Sequence, residues 1–267
     1  MALRDNIVPE KIFIVPYRDR EPHKMAFVRV MMHILENVNY KILFIHQNDR
    51  RSFNRGAMKN IGFLYIKEKW PNNWKNITLI FHDIDYIASC KDQFSFNTNT
   101  RKVKHFLGYK NTLGGIFAIK ANDFSITKGF PNIWTWGWED NIFYNRVKKA
   151  GLGIDYSEFL EASTNIESVI CLWHGWDRKI NTKQSVQRQS YSNNNISSII
   201  NLGYNIQELE KNILMINVNT FNIINSLHPN KSHISKINAR LYDKQSRISL
   251  GKSNVKNNKF GKYKQLF

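Results

Sequence analysis

The segment Ile77-Thr-Leu-Ile-Phe-His-Asp-Ile-Asp85 ends a run of β-branched and aromatic residues on two carboxylates spaced one residue apart. Such a run reads as a buried strand, and acids at its end stand at the mouth of a sheet, where α/β folds bind ligands. Two hard oxygen donors there suit Mg²⁺ or Mn²⁺, which would neutralise a diphosphate. An Asp-rich turn after a core strand is the structural alternative. A second pair of acids, Glu139 and Asp140, directly follows Trp134, Trp136 and Trp138. Indoles beside carboxylates can stack the apolar faces of a sugar and accept its hydroxyls. As core anchors, with the acids in the first turn of a helix, the same residues would serve structure alone. Pro16-Tyr-Arg-Asp-Arg20 adds an aromatic ring and two planar guanidiniums after a short apolar stretch, a cradle for a base and phosphates.

These residues need elements to hold them. Residues 11–15 predict a strand, 23–38 a helix with Met25, Val28, Met32 and Leu35 inward, and 40–46 a second strand, the opening of a parallel right-handed α/β unit. A polar stretch, 48–56, leads into a helix over 57–69, with Phe53 and Arg55 near its electropositive end. The acid pair then closes the third strand. Residues 91–112 show no periodicity and read as loop. A strand follows from Gly114-Gly115 to Ile119, whose glycines permit close backbone approach, then a short helix capped by Asn122. The next helix carries Phe143, Val147 and Ala150 on one face and stops at Gly151. Residues 166–173 read as a buried strand ending at His174, which would share the acid pair's sheet edge if the sheet is parallel. The stretch 177–195 is polar, and 214–221 is a last strand.

The 267 residues, 42% hydrophobic and 13% aromatic, can bury one substantial core. No apolar run approaches the roughly 20 residues that cross a bilayer, and the first ten residues lack the apolar core of a secretory signal. Two cysteines, Cys90 and Cys171, are too few for a disulfide framework and point to a reducing compartment. The expectation is a soluble, cytoplasmic protein, and its Asn, Lys and Ile usage suggests an AT-rich viral or parasitic genome. The net charge of +18 is uneven. We expect a globular domain over 1–225 and a basic, flexible extension over 226–267, either solvated or attracted to an anionic surface.

Taken together, Val15-Pro-Tyr-Arg-Asp-Arg20, Phe53-Asn-Arg55, Asp83-Ile-Asp85, Gly114-Gly115, Gly129-Phe-Pro-Asn132, Trp136-Gly-Trp-Glu-Asp140 with Asn145-Arg146, and His174 resemble the β-1,4-galactosyltransferase family. Seven motifs match in order from residue 12 to about 220. The resemblance implies a single Rossmann-like α/β domain of the GT-A type with a mainly parallel central sheet. It also implies metal-dependent, inverting transfer of galactose or N-acetylgalactosamine from a UDP-sugar donor to a glycan acceptor, with Mn²⁺ as cofactor. It assigns Pro16, Tyr17, Arg18, Arg20, Phe53 and Arg55 to the nucleotide, Asp83 to the donor sugar, and Asp85 and His174 to the metal. Trp136 would lie between donor and acceptor, Asp140 would be the catalytic base with Glu139 beside it, and Lys102 would meet a phosphate. Gly115 would line the donor site.

The departures from the family carry their own expectations. Cys171 stands where the family commonly has another metal ligand, often Met, and a thiolate prefers softer ions than Mn²⁺. Trp138 replaces a glycine and Asn141 an acid, changes that should reshape the acceptor site. Thr112 stands where a Tyr favours galactose, and its smaller side chain leaves room for an N-acetyl group. Two rival functions remain: a nucleotide-sugar or glycan binding module without catalysis, and a tail-driven binder of nucleic acid or an anionic membrane.

Overall fold

A computed structural model describes residues 7–162, 168–175, 177–181, 194–226 and 228–238. In chain order the elements are β1 (Lys11–Tyr17), α1 (Glu21–Ile34), β2 (Tyr40–Gln47), α2 (Arg55–Lys69), β3 (Thr78–His82), β4 (Tyr86–Ala88), β5 (Lys102–Gly108), β6 (Ile116–Lys120), α3 (Ala121–Ile126) and α4 (Glu139–Lys149). They continue with β7 (Gly153–Asp155), β8 (Leu160–Glu161), β9 (Val169–Cys171), β10 (Asp177–Asn181), β11 (Ile199–Glu210), β12 (Ile213–Ile223) and β13 (Ile234–Asn238).

β1, β2 and β3 are almost wholly buried, so they read as continuous apolar runs rather than alternations, as strands covered on both faces must. They lie in a nine-stranded sheet of order β11-β12-β2-β1-β3-β6-β5-β7, with β8 added on β5. β12, β2, β1 and β3 run parallel, and so do β7 and β8 against β5, whereas β6 is antiparallel to both β3 and β5 and β11 to β12. The expected α/β sheet is therefore mixed, parallel through its centre. One face packs Ile12, Ile14, Leu43 and Phe81 against Ile61 of α2, Phe124 of α3 and Phe143 of α4. The other packs Phe13, Val15, Phe44 and Ile80 against Phe27 and Met31 of α1 and the aromatic loop Phe94–Phe96.

Several expectations change. In α1 the buried residues are Phe27 and Met31, while Met25 and Met32 are exposed, because helix and sheet meet one position away from the assumed stripe. The stretch 91–112 contains β5, buried from His105 onward, which the irregular composition around it conceals. Asn122 lies inside α3, and Lys120 is the capping position. The strand expected over 166–173 is reduced among the described residues to β9, whose Ile170 and Cys171 are exposed. It joins β4 in a separate antiparallel ribbon, not the parallel sheet. β11, unanticipated, forms a hairpin with β12. Residues 182–193 of the polar stretch and the extension beyond 238 lie outside the described residues. Within 226–267, β13 pairs with β10. Among the described residues, no helix is long and apolar enough to cross a membrane.

The last residue of β3 shows what burial costs a titratable group. His82 is fully buried among Phe13, Phe27 and Phe96. Its Nδ1–H donates to the Asp83 carbonyl at 2.8 Å, and Nε2 is buried without a partner. Burial pushes its pKa down to about 4. The unfolded chain therefore takes up this proton below about pH 6.5, while the folded chain resists until near 4. We predict that this residue's contribution is intact above pH 6.5 and that about 3 kcal/mol is lost as pH falls to 4. Urea unfolding of wild type and His82→Leu at pH 7, 5.5 and 4.5 checks it, the variant showing the shallower dependence.

Candidate functional site

Because β1, β2 and β3 are parallel, the segments that follow them leave the sheet at one edge. Arg18 emerges after β1 and donates to the Arg51 carbonyl at 2.6 and 2.8 Å, with its guanidinium 5.2 Å from the Phe53 ring. Pro16 and Tyr17 are the buried last residues of β1. The Tyr17 hydroxyl donates to Glu21 Oε2 at 2.9 Å, and burial, aided by that carboxylate, pushes its pKa up to about 12. Arg20 is the residue before α1. Of the residues expected to hold a nucleotide, Arg18 and Phe53 are therefore in contact, while Tyr17 is engaged by Glu21 of α1.

Arg55, the first residue of α2, is the hub. Its Nη2 donates to both oxygens of Asp83, at 2.5 and 2.6 Å. Its Nη1 donates to Glu139 Oε1 at 2.6 Å and Asp140 Oδ2 at 2.8 Å. Acids from the end of β3 and the start of α4 therefore meet on one guanidinium, whose fork can serve several carboxylate oxygens at once. Lys59, one helical turn on and only 1% exposed, places its Nζ 2.9 Å from Asp140 Oδ1. Burial alone would keep Asp140 protonated, but Arg55 and Lys59 outweigh it and hold the carboxyl below its usual range. For Asp83 burial prevails over Arg55, and its pKa is raised. The same charges lift Arg55 against its own burial.

The backbone accommodates this crowding. A side chain at Gly114 would place its Cβ 2.5 Å from Asp140 Oδ2. Gly115, at φ +71°, accepts from the Asp83 N–H at 3.0 Å, and the Leu113 N–H donates to the Asp140 carbonyl at 3.2 Å. Thr112 beside them is half-buried and donates its hydroxyl to the Tyr109 carbonyl at 2.9 Å.

The three indoles divide. Trp134 is a core residue stacked on Phe221. Trp136 and Trp138 are exposed next to the acids, and the Trp136 N–H donates to the Lys179 carbonyl of β10. Trp138 holds φ +73°, a left-handed conformation that favours glycine and is strained for an indole-bearing residue. The motif residues Asn132 and Arg146 are structural. Asn132 is buried and bonded to Asn60, Asn194 and Ser198, and Arg146 donates to the Gly129 and Asn194 carbonyls.

Asp85 and His174 meet through the β4–β9 ribbon, which pairs Tyr86 with Cys171 and lets the Leu172 N–H donate to the Asp85 carbonyl. Asp85 Oδ2 lies 2.6 Å from His174 Nε2. Burial raises the Asp85 pKa, but the His174 contact outweighs it and leaves the carboxyl below its usual value. Among the described residues, no three His, Cys, Asp or Glu side chains gather as a metal cage. The Asp85 oxygen and His174 nitrogen fit two positions of a divalent ion that takes its other ligands from a diphosphate and water. Cys171 is exposed, and burial and Asp85 push its thiol up, which disfavours the thiolate a metal needs. Lys102 is set apart from this edge. Its neighbour Val103 pairs with Ile119, and β6 in turn places Lys120 against Thr78 at the opposite end of β3.

Two contributors escaped sequence reasoning. Lys59 carried a legible signal, a cation four residues after Arg55 and so on the same face of α2. Arg178 carried none. Its Nη2 lies 3.5 Å from His174 Nε2, on a short strand inside a polar stretch.

Two family models match the chain, one described as the N-terminal region of glycosyl transferase group 7 over residues 7–97 and one as the N-terminal domain of galactosyltransferase over 95–169. β-1,4-Galactosyltransferase 5 of Mus musculus is 27% identical over 202 residues, 72% of this chain and 50% of the relative. β-1,4-Galactosyltransferase 7 of Drosophila melanogaster is 24% identical over 239 residues, 84% of this chain and 72% of the relative. A solved complex of a mutant of the latter with manganese, UDP-Gal and xylobiose superposes with a TM-score of 0.64 at 22% identity. It covers 79% of this chain and 94% of its own. The chain spans about half the length of the first of these relatives.

The hub yields a direct expectation. Arg55→Met leaves three carboxylates facing one another with Lys59 alone, and should cost about 3–5 kcal/mol, as removal of one partner from a buried ionic cluster does. Arg55→Lys should recover only part, since an ammonium cannot span Asp83 and Asp140 together. Urea unfolding at pH 7 measures both.

Proposed function

Since the chain belongs to the glycosyl transferase group 7 family, which includes the β-1,4-galactosyltransferases, we propose that it transfers a hexose from a UDP-sugar to a sugar hydroxyl with inversion. The observation that carries this reading is the convergence of Asp83, Glu139 and Asp140 on Arg55, a few residues from the Asp85–His174 pair. In this reading donor-side and acceptor-side groups then lie side by side at one edge of the sheet.

In this reading Arg18, Phe53 and the end of β1 hold the nucleotide, Asp83 and the Gly114-Gly115 turn receive the donor sugar, and Trp136 and Trp138 stack the acceptor. Asp140, kept ionised by its cations, takes the proton of the acceptor hydroxyl as oxygen attacks the anomeric carbon and the bond to the diphosphate breaks. A positioned base of this kind contributes about 10²–10⁴ in rate. Inversion follows from one in-line displacement, without a covalent enzyme intermediate. Asp85 and His174 would hold a divalent ion, with Mn²⁺ favoured by the ligand named for the Drosophila relative. When bound, such an ion supplies charge stabilisation for the leaving diphosphate. The donor is galactose or N-acetylgalactosamine. The UDP-Gal named for that relative supports the first, and the small Thr112 supports the second.

Incubation with UDP-galactose or UDP-N-acetylgalactosamine, Mn²⁺ and a glycan panel should release UDP in an acceptor-dependent manner. Asp140→Asn should lower kcat at least about 10²-fold with UDP binding nearly unchanged. Retained turnover in that variant would remove Asp140 from this role, and binding without turnover in wild type would favour a binding module. Separately, Asp85→Ala and His174→Ala should each weaken Mn²⁺-dependent UDP binding about tenfold or more by calorimetry. Unchanged affinity would displace the ion from that pair.

A further inference from the structure

We propose that Lys59 is a positioning residue for Asp140, fixing the plane and ionisation of the carboxylate that the preceding reading makes the base. The inference rests on that reading, and on a contact the motifs did not anticipate. Lys59 is among the largest fully buried side chains of the described core. Its ammonium sits 4.3 Å from the centre of the Phe130 ring, and its Nζ reaches Asp140 Oδ1 at 2.9 Å. A lysine so withdrawn from water is costly unless paired, so its burial implies a purpose for the pair.

The geometry indicates that purpose. Arg55 holds Oδ2 and Lys59 holds Oδ1, so the carboxylate cannot rotate about its own axis. A carboxylate offers about four lone-pair directions. Two are taken, and the side chain keeps 22% of its surface open, so an incoming hydroxyl still has a direction of approach. With Lys59 removed, Arg55 alone would hold the group, and Arg55 is shared with Asp83 and Glu139. The carboxylate could then swing about a single bond. It would also ionise less readily, because one of the two cations opposing its desolvation is gone.

The groups facing Asp140 are Arg55 and Lys59 from α2, Glu139 from α4, Asp83 from the end of β3, and His105 of β5, whose titration feels the Asp140 charge. Glu139 and Asp83 oppose ionisation of Asp140. Burial pushes the His105 pKa down, which disfavours a compensating charge there. Among these groups the two α2 cations favour the charged form.

The test uses the full chain with Lys59→Met, which matches the stem without its charge, and Lys59→Arg, which restores it. Wild type, both variants and Asp140→Asn are compared by kcat and KM across pH 4.5–8 and by urea unfolding. In Lys59→Met we expect the acidic limb of kcat/KM to move up by about one pH unit or more. We expect kcat to fall about tenfold at pH 6 while donor KM stays within about twofold, and Lys59→Arg to recover most of both. A folded Lys59→Met enzyme with the wild-type limb and kcat would overturn the inference. So would a loss confined to unfolding, in which Lys59→Met lowers stability equally in the Asp140→Asn background and shifts no pH profile. Wild type inert with every donor and acceptor would instead overturn the transfer reading, and the positioning role with it.

Discussion

The site depends on one half-buried guanidinium, that of Arg55. Without Arg55, Asp83, Glu139 and Asp140 could not share the space they occupy, because like charges in a poorly solvated cleft repel and are driven to protonate. With it, the ends of β3 and α4 are drawn together and the carboxylates are oriented by a planar, always charged fork. The opposite pKa directions of Asp83 and Asp140 follow from how that charge is divided. Asp140 receives a second cation, while Asp83 has Arg55 as its direct partner and Asp85 close by.

The rest of the fold holds this arrangement still. α2 lies against β1 and β2 through Ala57, Met58 and Ile61, so its first turn cannot shift without disturbing the core. The Asn54 side chain accepts from the Ala57 N–H and starts the helix at the point where Arg55 must project. At the other end of the site, Phe143 and Val147 anchor α4, with Phe143 stacked on Phe130. The buried amide network of Asn60, Asn132 and Asn194 satisfies the turn that precedes the Trp loop. Backbone strain is held in that loop, at Thr135 and Trp138, which both have positive φ.

His174 does not arrive on a parallel strand. It is carried by a short antiparallel ribbon, outside the main sheet, whose pairing with β4 directs the chain back to Asp85. A second ribbon, β10 with β13, supplies the Lys179 carbonyl that receives the Trp136 N–H. Two small accessory pairings therefore tie the metal-ligand candidate and the aromatic loop to the strand ends of a larger scaffold.

Much was legible from residue order. Continuous apolar runs predicted β1, β2 and β3, and their parallel arrangement required Arg18, Phe53, Arg55 and Asp83 to emerge at one edge, because parallel strands share a carboxyl end. Motif order identified the family. What sequence could not convey was contact between distant side chains. That Lys59 turns inward to Asp140, that Lys102 starts β5 at the opposite edge, that Trp134 is core while Trp136 and Trp138 are exposed, and that an antiparallel ribbon delivers His174, are matters of packing and register. Local spacing determines which face a residue shares with its neighbours. Only the folded chain decides what stands opposite that face, since the partner comes from dozens of residues away and its placement is set by the whole core.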